Sequence, residues 1–123
     1  MVQVTVDRVR SKLNLTADDI PDSTVEAHIG DAAAWLTGEI GSTLNPEDCT
    51  EEERLAIEQL AAVYCYLTVT GTEATGYSVA LTGLSFSGPA EKVAQIEFLR
   101  DQVLSFVKRR KHSDSGILSL EGK

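Results

Sequence analysis

Two cysteines, two histidines, three prolines and one tryptophan are all that this chain of 123 residues contains of those types. Each scarcity removes a class of chemistry. Cys49 stands just before a strong helix start, and Cys65 lies about four turns into that helix, too far away for a disulfide. Both read as free thiols in a reducing compartment, with Cys65 packed as a small hydrophobe. His28 and His112 have no metal-ligand spacing to either cysteine, so no metal site is expected. The glycines are dispersed, and none forms a loop that would cradle phosphate. There is no Ser–His–Asp order with a nucleophile elbow. Glu51, Glu52, Glu53 and Glu58 are numerous, but helix capping and solvation account for them, and no base stands ready to partner a raised-pKa acid. The expectation is a protein with no catalytic site and no cofactor. No apolar run flanked by basic residues opens the chain, and the longest apolar stretch is too short and too broken to span a bilayer. The reading is therefore a soluble, intracellular protein that makes no use of a membrane.

What is present is a globular composition with uneven charge. Hydrophobic residues make up 42% of the chain, which is ordinary for a folded domain and argues against global disorder. The length fits one domain able to bury a modest core unaided. The net charge is −8, yet Lys108, Arg109, Arg110 and Lys111 form a basic cluster near the end. An acidic body does not suit general binding to duplex DNA, but it does suit a protein that must not stick to DNA close by.

Thr50-Glu51-Glu52-Glu53 is a capping-box pattern, and its carboxylates suit the positive end of a helix dipole. The helix that follows, from about Thr50 to Val69, has no charge after Glu58 and is apolar nearly all round. Such a helix needs cover on nearly every side, and in so short a chain a neighbouring subunit is a natural source of part of it. Before it, Thr5 caps a short helix with Val6, Val9 and Leu13 on one face. A second helix starts with Asp22 as its cap and Ile20 as a hydrophobic staple. It carries Val25, Ile29, Ala32, Ala33, Leu36 and Ile40 on one stripe, with Trp35 beside it, and stops at Gly41.

After the polar connector Thr70–Gly76 the period changes from helical to two. Tyr77, Val79 and Leu81, then Leu84 and Phe86, alternate with small residues about Thr82-Gly83, which predicts a hairpin or flap at about 77–87. A lone hairpin is marginal in water and needs a surface to pack on. Pro89 then opens a last helix with Val93, Ile96, Leu99 or Arg100, Val103, Phe106 and Val107 on its apolar face. The four basic residues suit the end of that helix. Ser113 to Gly116 reads as its break, and Ile117, Leu118 and Leu120 follow on a flexible tail. The expected fold is all-α: a small helical bundle at 1–111 with a β-hairpin flap, and an extended C-terminal arm at 112–123.

In this order the elements resemble the head–tail connector (adaptor, or head-completion) proteins of tailed viruses. The resemblance rests on Val4 to Leu15, on Asp19-Ile20-Pro21-Asp22 and a helix through Ala33-Ala34-Trp35-Leu36, on the acidic-capped helix running into Ala61 to Leu67, and on Gly83 to Ser87 before a long final helix. It covers roughly residues 4–110; the order of the elements agrees, and each piece is generic. It implies a structural virion protein with no enzymatic activity. Such a chain would form a homo-oligomeric, dodecameric ring that joins the portal protein to a neck or tail-completion protein. It would extend the channel through which DNA passes without sequence-specific binding. Its place would be the virion neck, and the host cytoplasm before assembly. On this reading Lys108, Arg109, Arg110, Lys111, Ile117, Leu118 and Leu120 are candidates for portal docking, and Tyr77, Val79, Leu81, Leu84 and Phe86 for the subunit interface. The alternative is a small helical regulatory or nucleic-acid-binding protein whose basic end touches phosphates. It would need a recognition helix with basic and polar residues on one face, the opposite of residues 50–69. A small enzyme ranks third, with no constellation to support it.

Overall fold

A computed structural model describes residues 1–69 and 90–121, with the side chains of the last helix described from residue 94 to residue 111. Four helices make up the described fold: α1 (Val6–Ser11), α2 (Asp22–Ile40), α3 (Glu51–Val69) and α4 (Ala90–Glu121). The chain is all-α in these residues. The connector after Val69 and the hairpin expected at about 77–87 lie outside them.

Local chemistry sets most helix ends. Thr5 has extended backbone, and its hydroxyl accepts the Arg8 N–H at 3.4 Å, capping α1. At α3 the capping box forms in both directions. Glu53 Oε1 accepts the Thr50 N–H at 3.0 Å, and Thr50 Oγ1 accepts the Glu53 N–H at 3.2 Å. Gly41 ends α2 with φ at 76°, and its N–H donates to the Thr37 carbonyl. That left-handed backbone carries a steric penalty for any side chain but glycine's.

At α2 the cap differs from expectation. Pro21 occupies the cap position with φ −72° and ψ 158° and offers no side-chain acceptor, so Asp22 is the first helical residue. Proline is already set for extended backbone, and Asp22 still lies where its charge suits the dipole.

The C-terminal expectation is also corrected. The helix does not end at Lys111 and break at Ser113; α4 runs 32 residues to Glu121. The segment 112–121 is therefore helix and not an extended arm. Gly116 costs a helix only about 1 kcal/mol relative to alanine, and extending a long helix needs no new nucleation.

The larger correction concerns α3. Its residues 56–67 are buried without a break, and α1, α2 and α4 of the same chain all pack against it. No neighbouring subunit is required to cover it. Val9, Leu13, Ile20, Leu36, Ile57, Leu60, Tyr64, Ile96 and Val103 form the centre of one continuous core. Trp35 is half-buried against its edge.

Two contacts close the N-terminal side. Arg10 is buried and donates twice to the Ile20 carbonyl, at 3.2 and 2.6 Å, while its guanidinium pairs with Asp22 at 2.6 Å. It ties α1 to the start of α2. Among the described residues there is one isolated antiparallel bridge, Val2 with Cys49, and Val4 also donates to the Pro46 carbonyl at 2.8 Å. The N-terminal segment is thereby held against the loop that precedes α3.

Candidate docking surfaces and a buried ion cluster

The basic cluster divides. Lys108 and Arg109 are exposed on α4 and make no ion pair among the described residues. Arg110 instead turns back to the first turn of α3, 3.5 Å from Glu52 and 3.3 Å from Glu53, and lies 4.9 Å over the Phe106 ring. Lys111 reaches Glu39 near the end of α2 at 3.3 Å. Two of the four expected docking cations are thus used inside the chain, neutralising carboxylates at the end of the bundle. Residues Ile117, Leu118 and Leu120 belong to the helical backbone of α4, and their side chains lie outside the described set. So do Tyr77, Val79, Leu81, Leu84 and Phe86.

These pairs fix the level of α4. Residues 110 and 111 lie beside the start of α3 and the end of α2, so α4 runs antiparallel to α3. Residues 112–121 extend the helix further by about 15 Å, at about 1.5 Å per residue.

The site that sequence reading missed is Glu58. Capping and solvation do not account for it: its side chain is 0% exposed. Arg8 of α1 donates to its Oε2 from Nε at 2.6 Å. Lys12 lies 3.6 Å from Oε1, and Arg54, one turn earlier on α3, lies 3.6 Å from Oε2. The three cations are 47%, 23% and 22% exposed, so they line the rim while the carboxylate is the floor. The (i, i+4) steps from Arg8 to Lys12 and from Arg54 to Glu58 were legible signals. That they meet depends on the packing of α1 on α3.

Beside the cluster, Lys12 shares a shallow cavity of ≈ 380 Å³ with Ala94, Gln95, Phe98 and Leu99 of α4. Phe98 is 60% exposed. A second cavity, ≈ 510 Å³, lies between the N-terminal segment, α2 and the loop before α3, with Glu26 and Glu47 on its walls.

Among the described residues, both cysteines and His28 are packed in. Both cysteines are buried free thiols. Burial pushes the Cys65 thiol up to about 12, and burial followed by the nearby Glu53 charge raises Cys49. Protonated thiols are poor nucleophiles at neutral pH. His28 Nε2 is 2.7 Å from Thr68 Oγ1, and its ring meets Tyr64 edge-on at 6.0 Å. Among the described residues no group of three or more His, Cys, Asp or Glu side chains is arranged to hold a metal ion. No helix among them is long and apolar enough to cross a membrane.

His28 makes a pH prediction. Burial lowers its pKa below 6.5, and the charge of Asp31 offsets part of that. Between the two values the unfolded chain therefore holds more protons than the folded one. The stability that His28 contributes is full above pH 6.5 and is lost as pH falls through the lowered folded value. Thermal unfolding followed from pH 7.5 to pH 5 should show this decline, and His28→Gln should flatten it. Identical pH profiles for the two proteins would assign the acid sensitivity to other groups.

Comparison with known protein families, curated proteins and solved structures finds no match to this chain.

Proposed function

We propose that the chain is a structural adaptor of the head–tail connector type, a ring subunit that joins a viral portal to the neck or tail and extends the DNA channel. The observation that carries this reading is the length of α4. Its 32 residues exceed the 19 of α2 and of α3, and ten of them, 112–121, follow the level at which Arg110 and Lys111 are tied to the bundle. A helical extension of this kind is a natural arm for a second protein to grip. The exposed pair Lys108 and Arg109 stands at its base, suited to acidic portal residues or nearby phosphates. The order of helices agrees with the resemblance, and the acidic body suits a channel through which DNA must slide. The competing regulator reading finds no exposed basic face on α3, which buries twelve consecutive residues, 56–67.

The arm makes the proposal testable. Deleting residues 113–123 should leave the helical circular dichroism and the melting transition of the bundle intact. It should abolish attachment to the portal protein encoded in the same genome, measured by light scattering of the mixed proteins. Attachment of the full chain should weaken with salt, since exposed charge pairs are screened beyond about 10 Å at 0.1 M. A full-length chain that never associates with that portal overturns the adaptor reading. A truncated chain that attaches at wild-type occupancy moves the joint from the arm to the bundle.

A further inference from the structure

The Glu58 cluster has more charge than it needs. Three cations, Arg8, Lys12 and Arg54, surround one carboxylate, which leaves two positive charges over. No other acid among the described residues lies within ion-pair distance of them. Glu58 is fully buried, so it gathers the cations from within while their outer faces meet solvent. On a chain with a net charge of −8 this is a concentrated basic spot, and exposed Phe98 stands beside it across the cavity shared with Lys12. Basic side chains next to an exposed aromatic match a protein partner better than free phosphate, because the ring offers apolar area to bury.

The complementary surface is on the same chain, and α1 separates the two. Residues four apart stack on one side of a helix, and a two-residue offset turns nearly half a circle. Arg8 and Lys12 therefore share one flank of α1, facing Glu58 of α3. Val6 and Arg10 share the other, facing α2, where Arg10 meets Ile20 and Asp22. On that second flank lies the ≈ 510 Å³ groove, whose walls include Val6, Glu26 and Glu47. Glu26 and Glu47 are exposed and have no ion-pair partner among the described residues. Gly30 borders the groove, and a Cβ added there would meet nothing within 4 Å.

We infer that the Arg8–Lys12–Arg54 cluster and Phe98 of one subunit dock on the acidic groove of a second copy of this chain. Two unlike patches on opposite flanks give a head-to-tail contact, which repeats from subunit to subunit and closes when the rotation divides the circle. The inference rests on the ring reading above and supplies its contact surfaces.

The experiment uses the full chain in sedimentation velocity at low and high salt. Wild type should assemble at low salt and dissociate as salt rises. Glu26→Lys combined with Glu47→Lys, and separately Phe98→Ser, should remain at the mass of one chain, 13.3 kDa. Both change exposed side chains, so their melting transitions should match wild type. The groove variant keeps its own basic cluster. Mixed with wild type, it should cap growing assemblies and shift them to smaller sizes. A wild type that stays monomeric at low salt overturns the inference, and portal attachment by that monomer would leave the adaptor reading standing. Variants that assemble as wild type does, or a groove variant that does not cap, also overturn the inference, and then the ring must use other surfaces.

Discussion

Replacing Glu58 with alanine is expected to destabilise the monomer by about 3 kcal/mol, the scale for removing one member of a buried ion cluster. The carboxylate is fully buried, and it is the one acid within ion-pair distance of Arg8, Lys12 and Arg54 among the described residues. Without it three like charges converge on an apolar floor. Part of the loss is relieved because the cations reach solvent, which keeps the figure at the lower end of the range. Glu58→Gln separates the causes, since it keeps the volume and removes the charge. If charge dominates, the two variants should be almost equally destabilised in urea. Arg8→Ala should cost less, about 1–2 kcal/mol, because Lys12 and Arg54 remain. A Glu58→Gln variant as stable as wild type would show that packing, not charge balance, holds this corner.

Leu60→Ala carries the other large effect. Leu60 is at the centre of the buried run of α3, 0% exposed, with Ile57, Val63 and Tyr64 equally enclosed. Truncation removes apolar burial and leaves a cavity that helices packed on several sides cannot collapse. The expected loss is about 3 kcal/mol, within the usual spread for leucine in a core, or about 10 °C in melting temperature for a domain of this size. The loss should appear in dilute monomer and be independent of protein concentration, because α1, α2 and α4 of the same chain provide the cover. If the penalty grows as the protein is diluted, then a neighbouring subunit completes the core.

Short-range signals in the sequence carry through to the structure, and long-range contacts do not show in it. Signals confined to one turn or one face were legible. The Thr50–Glu53 box, the Thr5 cap, the Gly41 stop and the stripe Val25, Ile29, Ala32, Ala33, Leu36 and Ile40 appear in the structure as the spacing implied. Each depends on residues three or four apart, whose geometry the helix itself fixes. The end of α4 was misread because serine, aspartate and glycine propensities amount to about 1 kcal/mol or less apiece, too little to stop a helix already formed. The basic cluster was legible as charge, but not its division between Lys108 and Arg109, which stay exposed, and Arg110 and Lys111, which neutralise Glu52, Glu53 and Glu39.

By itself, then, the sequence determined the helices of the described residues, the starts of α1 and α3, the residues of the core stripes and a net acidic composition with one basic cluster. Tertiary structure alone decided that a single chain can enclose α3 and that Glu58 becomes a buried anchor for three cations. It also set which flank of α1 faces the acidic groove. The physical reason is separation along the chain. Glu58 is 50 residues from Arg8, and Arg110 is 57 residues from Glu53. No local periodicity encodes such meetings, because they follow from how whole helix faces pack and not from the spacing within any one of them.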